Sequence, residues 1–303
     1  MSGIALQDYM LRRADYRITT TSMVARPFEL NNARLPIEIF LWTLASLVVF
    51  LPFIGLLITS LVPVYGVPLK LANATLSNYA YVIFEYAAAR RAFINSFLLS
   101  AGAALMIVLL SIPLAYLIVW RRSRLIRFLS FAAELPYALP GVVLAIAAIL
   151  IFLKPVPILG FSIYNTVWII FVAYMARFLV LGVRPVVSGM HQIDRALEEA
   201  AQVAGARLFT RMRAIILPLV APAAAAGGLL IFLTAFNELT VSALLWSSGS
   251  ETLGVVVFSL EQGGDSTIAA ALAIISLLVT LGLMMATLFF ARKLPQGVLP
   301  WRD

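Results

Sequence analysis

The sequence predicts an all-α membrane protein with six transmembrane helices, cytoplasmic N and C termini, and a cytoplasmic helical hairpin. Three observations carry that fold class. The 303 residues are 62% apolar and only 12% charged, with a mean hydropathy of +1.00, whereas soluble domains carry roughly 25% charge. Six apolar segments are long enough to cross the roughly 20-residue hydrocarbon core as helices. Finally, seventeen basic residues fall on one side of a six-span arrangement and four on the other.

In chain order, residues 1–36 form a polar tail with Arg12, Arg13, Arg17, Arg26 and Arg34 and little periodicity. The apolar segments follow near 39–62, 94–119, 135–153, 166–183, 216–237 and 267–290, and residues 292–303 form a second tail. The first segment is too long, and begins too far along the chain, for a cleavable signal peptide. Pro113 in the second span and Pro136 with Pro140 in the third predict kinks. The run Ala223 to Gly228 gives the fifth span a smooth face for close helix contact.

Charge orients the chain. Arg121, Arg122, Arg124 and Arg127 lie on the same side as the tail arginines, joined by Arg184, Arg195, Arg207, Arg211, Arg213, Arg292, Lys293 and Arg302. The opposite side has Lys70, Arg90, Arg91 and Lys154. Positive residues stay inside, so the expected organisation is a cytoplasmic tail (1–36), a six-span domain (37–291) with an inner loop at 184–215, and a cytoplasmic tail (292–303). The net charge of +8 is then an insertion signal, and nucleic acid is excluded as a partner. The outer loop after the fifth span carries Glu251, Glu261 and Asp265, either solvated or able to receive a cationic group.

Composition also limits the chemistry. With no cysteine and a single histidine, His191, no metal site and no thiol nucleophile is expected. The spans offer no nucleophile with a positioned base, so a catalytic site within the membrane is not expected. Trp42, Trp120, Trp168 and Trp246 lie near proposed span ends, where indole rings anchor a protein at the interface.

The inner loop reads as two short helices. Asp194 is an expected N-cap, Arg195 to Ala204 are good helix formers, and Gly205 stands where a left-handed C-terminal cap belongs. A second segment, Leu208 to Ile215, runs into Leu217-Pro218, where proline opens the fifth span. Ala196, Ala200 and Ala204 recur at every fourth position and form a narrow stripe that permits close approach. A helix this short needs packing to persist. Either a partner groove or the chain's own spans could supply it.

The string Glu199-Ala200-Ala201, three residues, Gly205, nine residues, Ile215, one residue, Leu217-Pro218 resembles in full the E-A-A-x3-G-x9-I-x-L-P signature of binding-protein-dependent ABC importer permeases. The similarity covers the six spans, roughly 37–291, including Asn95-Ser96 at the entry to the second. It implies that the loop is a coupling hairpin, in which Glu199, Ala200, Ala201, Gly205, Ile215, Leu217 and Pro218 dock a cytoplasmic ABC ATPase dimer. Further implied partners are an external or periplasmic solute-binding protein and a second permease subunit, a heterodimer being favoured over a homodimer. The chain has no phosphate-cradling G-x4-G-K-[ST] loop, so no cofactor is expected on it and ATP-Mg is expected to be used by the partner. The expected location is the cell inner membrane, multi-pass.

Intramembrane polar residues mark a candidate pathway. Arg177 is embedded in the fourth span, and Asn237-Glu238 follow the fifth. Twenty-two residues at 1.5 Å each carry Glu238 about 33 Å along that helix, near the outer interface, as a gate residue or simply an interfacial one. Arg177 either lines the pathway or snorkels toward the cytoplasm. The segments Asn237 to Leu245, Glu251-Thr252-Leu253 and Glu261-Gln262-Gly263-Gly264 look most like permeases of the ferric iron, thiamine, polyamine and phosphonate branch, with ferric iron favoured as the solute.

Overall fold

In a computed structural model of the chain, residues 33–121, 123–155 and 160–291 are described, and all their regular structure is helical. Most of the two tails, 1–32 and 292–303, lies outside the described residues. The first helix, α1 (Arg34–Ser60), is about 40 Å long at 1.5 Å per residue. A single turn, α2 (Ser77–Ala80), passes through a π-helical turn at Tyr81–Glu85 into α3 (Ala87–Tyr116), which ends in a second π-helical turn at Leu117–Arg121. Then come α4 (Arg124–Ala138), α5 (Gly141–Phe152) and α6 (Val167–His191). Two short helices, α7 (Arg195–Val203) and α8 (Leu208–Arg211), lead through a third π-helical turn, Met212–Ile216, into α9 (Leu217–Phe236). The chain ends in α10 (Ser242–Leu245), α11 (Leu253–Gln262) and α12 (Ser266–Ala291).

Among the described residues, five helices are long and apolar enough to span a bilayer: α1, α3 with its π turn, α6, α8–α9 and α12. The expected third span, 135–153, is not one helix. Its start lies in the last turn of α4 and its remainder in α5, and the two helices meet at an angle of 113°. Pro140 occupies the N-cap of α5; it has no N–H to donate and disfavours helix at the residue before it, so the break falls between Pro136 and Gly141. Counted as one bent span, the pair gives the sixth crossing. By contrast Pro113 lies inside an unbroken α3, as Pro185 does in α6 and Pro222 in α9.

By backbone proximity the chain divides into two units, Met1–Pro52 and Phe53–Asp303, with the boundary inside α1. In the first unit, the described residues 33–52 are exposed along their apolar length, Trp42 by 74%, as suits a lipid-facing helix. In the second, α3, α6 and α9 form the core, burying Ala103, Ile107, Tyr174, Phe178 and Ile231. Ala145 and Ala148 of α5 and Leu245 of α10 complete it. A second cluster joins Ala92 of α3 to Phe236, Leu253, Val256 and Leu272. A third, at the other end of α3, holds Tyr116 and Val119 against Met190, Ile216 and Val220.

What brings the three core helices together is the absence of side chains. A Cβ placed on Gly227 of α9 would lie 3.3 Å from the Cα of Gly182 and 3.2 Å from the Leu181 carbonyl oxygen on α6. One on Gly182 would reach within 2.5 Å of Ile107 Cγ2 on α3, and one on Gly228 within 2.9 Å of Val108 Cγ2. The smooth stretch 223–228 is thus a helix contact. Gly227→Leu should overpack this crossing and cost about 1–3 kcal/mol or more, seen as an earlier thermal transition of the detergent-solubilised chain. Gly282→Leu, where a Cβ meets nothing within 4 Å, should leave that transition in place.

Candidate functional site

The hairpin between α6 and α9 is built as its sequence dictates. Asp194 has extended backbone geometry and its carboxylate accepts from the Ala196 N–H at 2.9 Å, a cap worth about 1 kcal/mol. At the far end of α7 the Ala206 N–H donates to the Ala201 carbonyl and the Gly205 N–H to the Gln202 carbonyl, both at 3.0 Å. With Gly205 at φ +82°, this is the Schellman arrangement, in which a left-handed residue satisfies the orphan carbonyls of the last turn. A Cβ on Gly205 would meet no atom within 4 Å. The demand on glycine here is therefore backbone conformation, not space.

The motif residues divide by exposure. Glu199 is exposed and pairs only along its own helix, with Arg195 at 3.0 Å. Ala200 and Gly205 are exposed, and Ala201 is half-buried. Around them stand exposed apolar side chains, Leu197, Val203 (90%) and Phe209 (75%). Ile215 is half-buried within the third π turn, while Leu217 and Pro218 open α9 and are exposed.

Sequence reasoning passed over Glu198. It is 7% exposed, and its Oε1 accepts from the Tyr116 hydroxyl at 3.1 Å while lying 3.1 Å from Arg211 Nη1. The available signal was Ala201, three residues on and on the same helix face; the partners, 82 and 13 positions away, appear only once the hairpin closes.

The candidate pathway residues do not form one site. Asn237 lines a cavity of about 730 Å³ bordered by the end of α1, α11 and α12, and hydrogen-bonds Ser276 Oγ (2.7 Å) and Thr280 Oγ1 (3.2 Å) of α12. Glu238 points elsewhere and is 8% exposed. Its carboxylate accepts from the N–H groups of Val241 and Ser242 and from the Thr240 hydroxyl at 2.5 Å. That is the work of a cap for the turn α10, and the carboxylate performing it is buried. Arg177 is half-buried beside the start of α5, where a Cβ on Gly141 would come within 2.8 Å of its Nη1 and collide with Thr240. That nitrogen is shielded from solvent and makes no hydrogen bond among the described residues.

At the opposite end of α3 from the hairpin, the loop before α11 is tied to the start of α3. Asn95 Nδ2 donates to the carbonyls of Gly249 and Glu251, each at 2.9 Å, and Ser96 Oγ accepts from the Leu253 N–H at 2.9 Å. Arg91 Nε lies 3.5 Å from Glu251 Oε2. Burial pushes the Glu251 carboxyl up, but N–H donation from Gly249 and the Arg91 charge outweigh it and hold the group below the usual carboxylate range. The Tyr86 phenol beside it is pushed up, chiefly by burial. Glu251 is therefore a structural tie, while Glu261 and Asp265 remain exposed. Among the described residues, no group of three or more His, Asp or Glu side chains could hold a metal ion.

Comparison with known proteins places this geometry. Residues 107–298 match the family described as binding-protein-dependent transport system inner membrane component. The chain is 28% identical to the probable ABC transporter permease protein y4fN of Sinorhizobium fredii, over 99% of this chain and 53% of that protein. It is 31% identical to the Fe(3+)-transport system permease protein FbpB 2 of Haemophilus influenzae (59% of this chain, 34% of that one). It is 32% identical to the spermidine/putrescine permease PotC of Escherichia coli (52% and 58%). The chain thus spans about half the length of the curated relatives it matches. Among solved structures, a bacterial alginate ABC transporter in complex with alginate pentasaccharide-bound periplasmic protein shares the fold, with a TM-score of 0.67 at 20% identity over 86% of this chain and 94% of that one.

The tie at Glu251 predicts an acid sensitivity. Its pKa is depressed in the fold, so its contribution is complete above the unfolded carboxylate value, near 4.3, and is lost as pH falls through the lower folded value. With Arg91 half exposed, the loss should be at most about 1 kcal/mol. Melting curves between pH 6 and 3 should show a shallower decline for Glu251→Gln than for the parent.

Proposed function

The chain belongs to the family of binding-protein-dependent transport system inner membrane components, and from that premise we propose that it is the permease subunit of an ATP-driven solute importer. As such it is a multi-pass inner-membrane protein. An external binding protein delivers the solute, a cytoplasmic ATPase dimer docks on the 199–218 motif, and alternating access follows from the motion of that docked hairpin. The chain itself catalyses no reaction. ATP-Mg is bound and hydrolysed by the partner.

One observation carries this reading: the motif residues form a capped, closed hairpin that presents an unburied face. Glu199 is available to a basic group, and Leu197, Val203 and Phe209 surround it with apolar surface. Exposed apolar surface rimmed by charge marks an interaction site, and a marginal helix such as α7 gains from a groove that covers it. A closed turn transmits displacement where a flexible loop would absorb it. Sidedness follows, because seventeen basic residues share the hairpin's side and positive residues remain cytoplasmic.

A second permease subunit completes the pathway, and we favour a heterodimer. The 730 Å³ cavity, mostly apolar but crossed by the stripe Asn237, Ser276 and Thr280 and edged by Thr59, Tyr65, Glu261 and Ser266, is the part of this chain best suited to border the passage. Arg177 and Glu238 act in this reading as supports of the passage wall. The solute we favour is ferric iron, with polyamine, thiamine and phosphonate as the alternatives within the same branch. Selectivity is assigned to the binding protein, whose ligand, identified by mass spectrometry after native purification, decides among them.

Gly205→Val tests the docking assignment. A β-branched residue at φ +82° is a conformational outlier costing roughly 1–2 kcal/mol, so the turn should open while the spans stay folded. In vesicles containing the second permease subunit, the ATPase and an iron-loaded binding protein, uptake should fall at least about tenfold, with Gly205→Ala intermediate. Undiminished uptake and undiminished ATPase stimulation would sink the assignment.

A further inference from the structure

We infer that Glu198, Arg211 and Tyr116 form the joint that fastens the hairpin to the bundle, so that α7, α8 and the end of α3 move as one body. This rests on the reading of the hairpin as the ATPase-docking element and assigns it a positioning residue, Glu198, which faces inward while the docking face points out.

The geometry carries the inference. One oxygen, Glu198 Oε1, takes both the Tyr116 hydroxyl and the approach of Arg211 Nη1, each at 3.1 Å. Glu198 belongs to the first hairpin helix, Arg211 to the second, and Tyr116 to a core span. A single carboxylate therefore bridges three elements. The Glu198 and Arg211 side chains are only 9% and 11% exposed, so the attraction acts in a shielded setting, and removing one partner strands the other.

Location supplies the second argument. Tyr116 is the last α-helical residue before the π turn Leu117–Arg121, and Arg211 is the last before the π turn Met212–Ile216. Each π turn inserts a break in helical register, a feature frequent at functional sites. The joint thus clamps the chain where two helices change pitch, over the apolar cluster of Val119, Ile216 and Val220. Among the described residues Arg211 Nε and Nη1 are shut off from solvent and make no aligned hydrogen bond, so the approach to Glu198 is what meets the buried charge.

The test uses the full chain in lipid nanodiscs. In Glu198→Gln and Arg211→Met, amide hydrogen exchange should rise at least about tenfold in both 195–211 and 117–121, with 169–180 unchanged. The reversed pair, E198R with R211E, should restore most of the protection, since the Tyr116 hydroxyl can donate or accept. Unchanged exchange at 117–121, an equal rise throughout the core, or a reversed pair no better than the single variants would each overturn the joint. With the ATPase bound, nitroxides at Q202C and L105C, in a chain with no native cysteine, should report one narrow distance that ATP does not alter. Glu198→Gln should retain the ATPase but at least double that width, and a distribution that stays narrow would equally overturn the proposal. A parent chain that retains no ATPase would refute the docking reading alone, because the exchange measurements decide the joint without it.

Discussion

The bundle depends on the crossing of α6 and α9 at Gly182 and Gly227, where backbone meets backbone. In lipid, helices gain nothing by hiding apolar surface from water, so contact must come from close packing. Two glycines facing each other bring the axes near enough for Ile107 and Ile231 to close over Gly182. Everything that positions the hairpin follows, because α6 delivers one end of it and α9 receives the other. A wider crossing would separate Val186 and Met190 from Val220 and Ile216 and dissolve the apolar floor on which α7 and α8 stand.

From that crossing the chain builds two unlike ends. At one, a short helical pair is held by a buried carboxylate and offers its opposite face outward. At the other, a loop is pinned residue by residue to the start of α3 through Arg91, Asn95 and Ser96. The hairpin end is joined to α3 through one carboxylate, whereas the loop end is tied through three side chains and cannot shift without breaking several bonds together. That asymmetry suits a molecule in which force is applied at one surface and confinement is kept at the other.

Much of this was legible in the sequence, for reasons that are local. Asp194, Gly205 and Pro218 act through the backbone within a few residues of themselves, and each does what its position predicts. The places of the spans were legible because a bilayer demands long apolar runs, but their lengths were not, since α3 with its π turn, α6 and α8–α9 all run beyond the apolar segments. The bend between α4 and α5 was only half legible, since Pro136 and Pro140 signal a break but not one sharp enough to leave two separate helices. Glu198 was scarcely legible, its one local signal being Ala201 on the same helix face. Nothing in adjacent Glu198 and Glu199 says which faces inward until Arg211 and Tyr116 are brought together from distant positions.

The carboxylates show why charge in such a chain is a poor guide to ligands. Glu238 and Glu251 attract attention by their position, yet Glu238 gives both oxygens to backbone N–H groups of its own turn, and Glu251 gives Oε1 to the Gly249 N–H and faces Arg91 with Oε2. A carboxylate beside a turn in a partly dehydrated setting finds donors at once in the unpaired amides there, and a buried N–H left without an acceptor would cost more than the side chain gains by waiting for a solute. Glu198 differs in that one of its oxygens is met by two side chains from two other elements, so that its contacts report a relation between elements and not the closure of its own turn. That distinction separates acidic residues that shape a loop from one that links three elements.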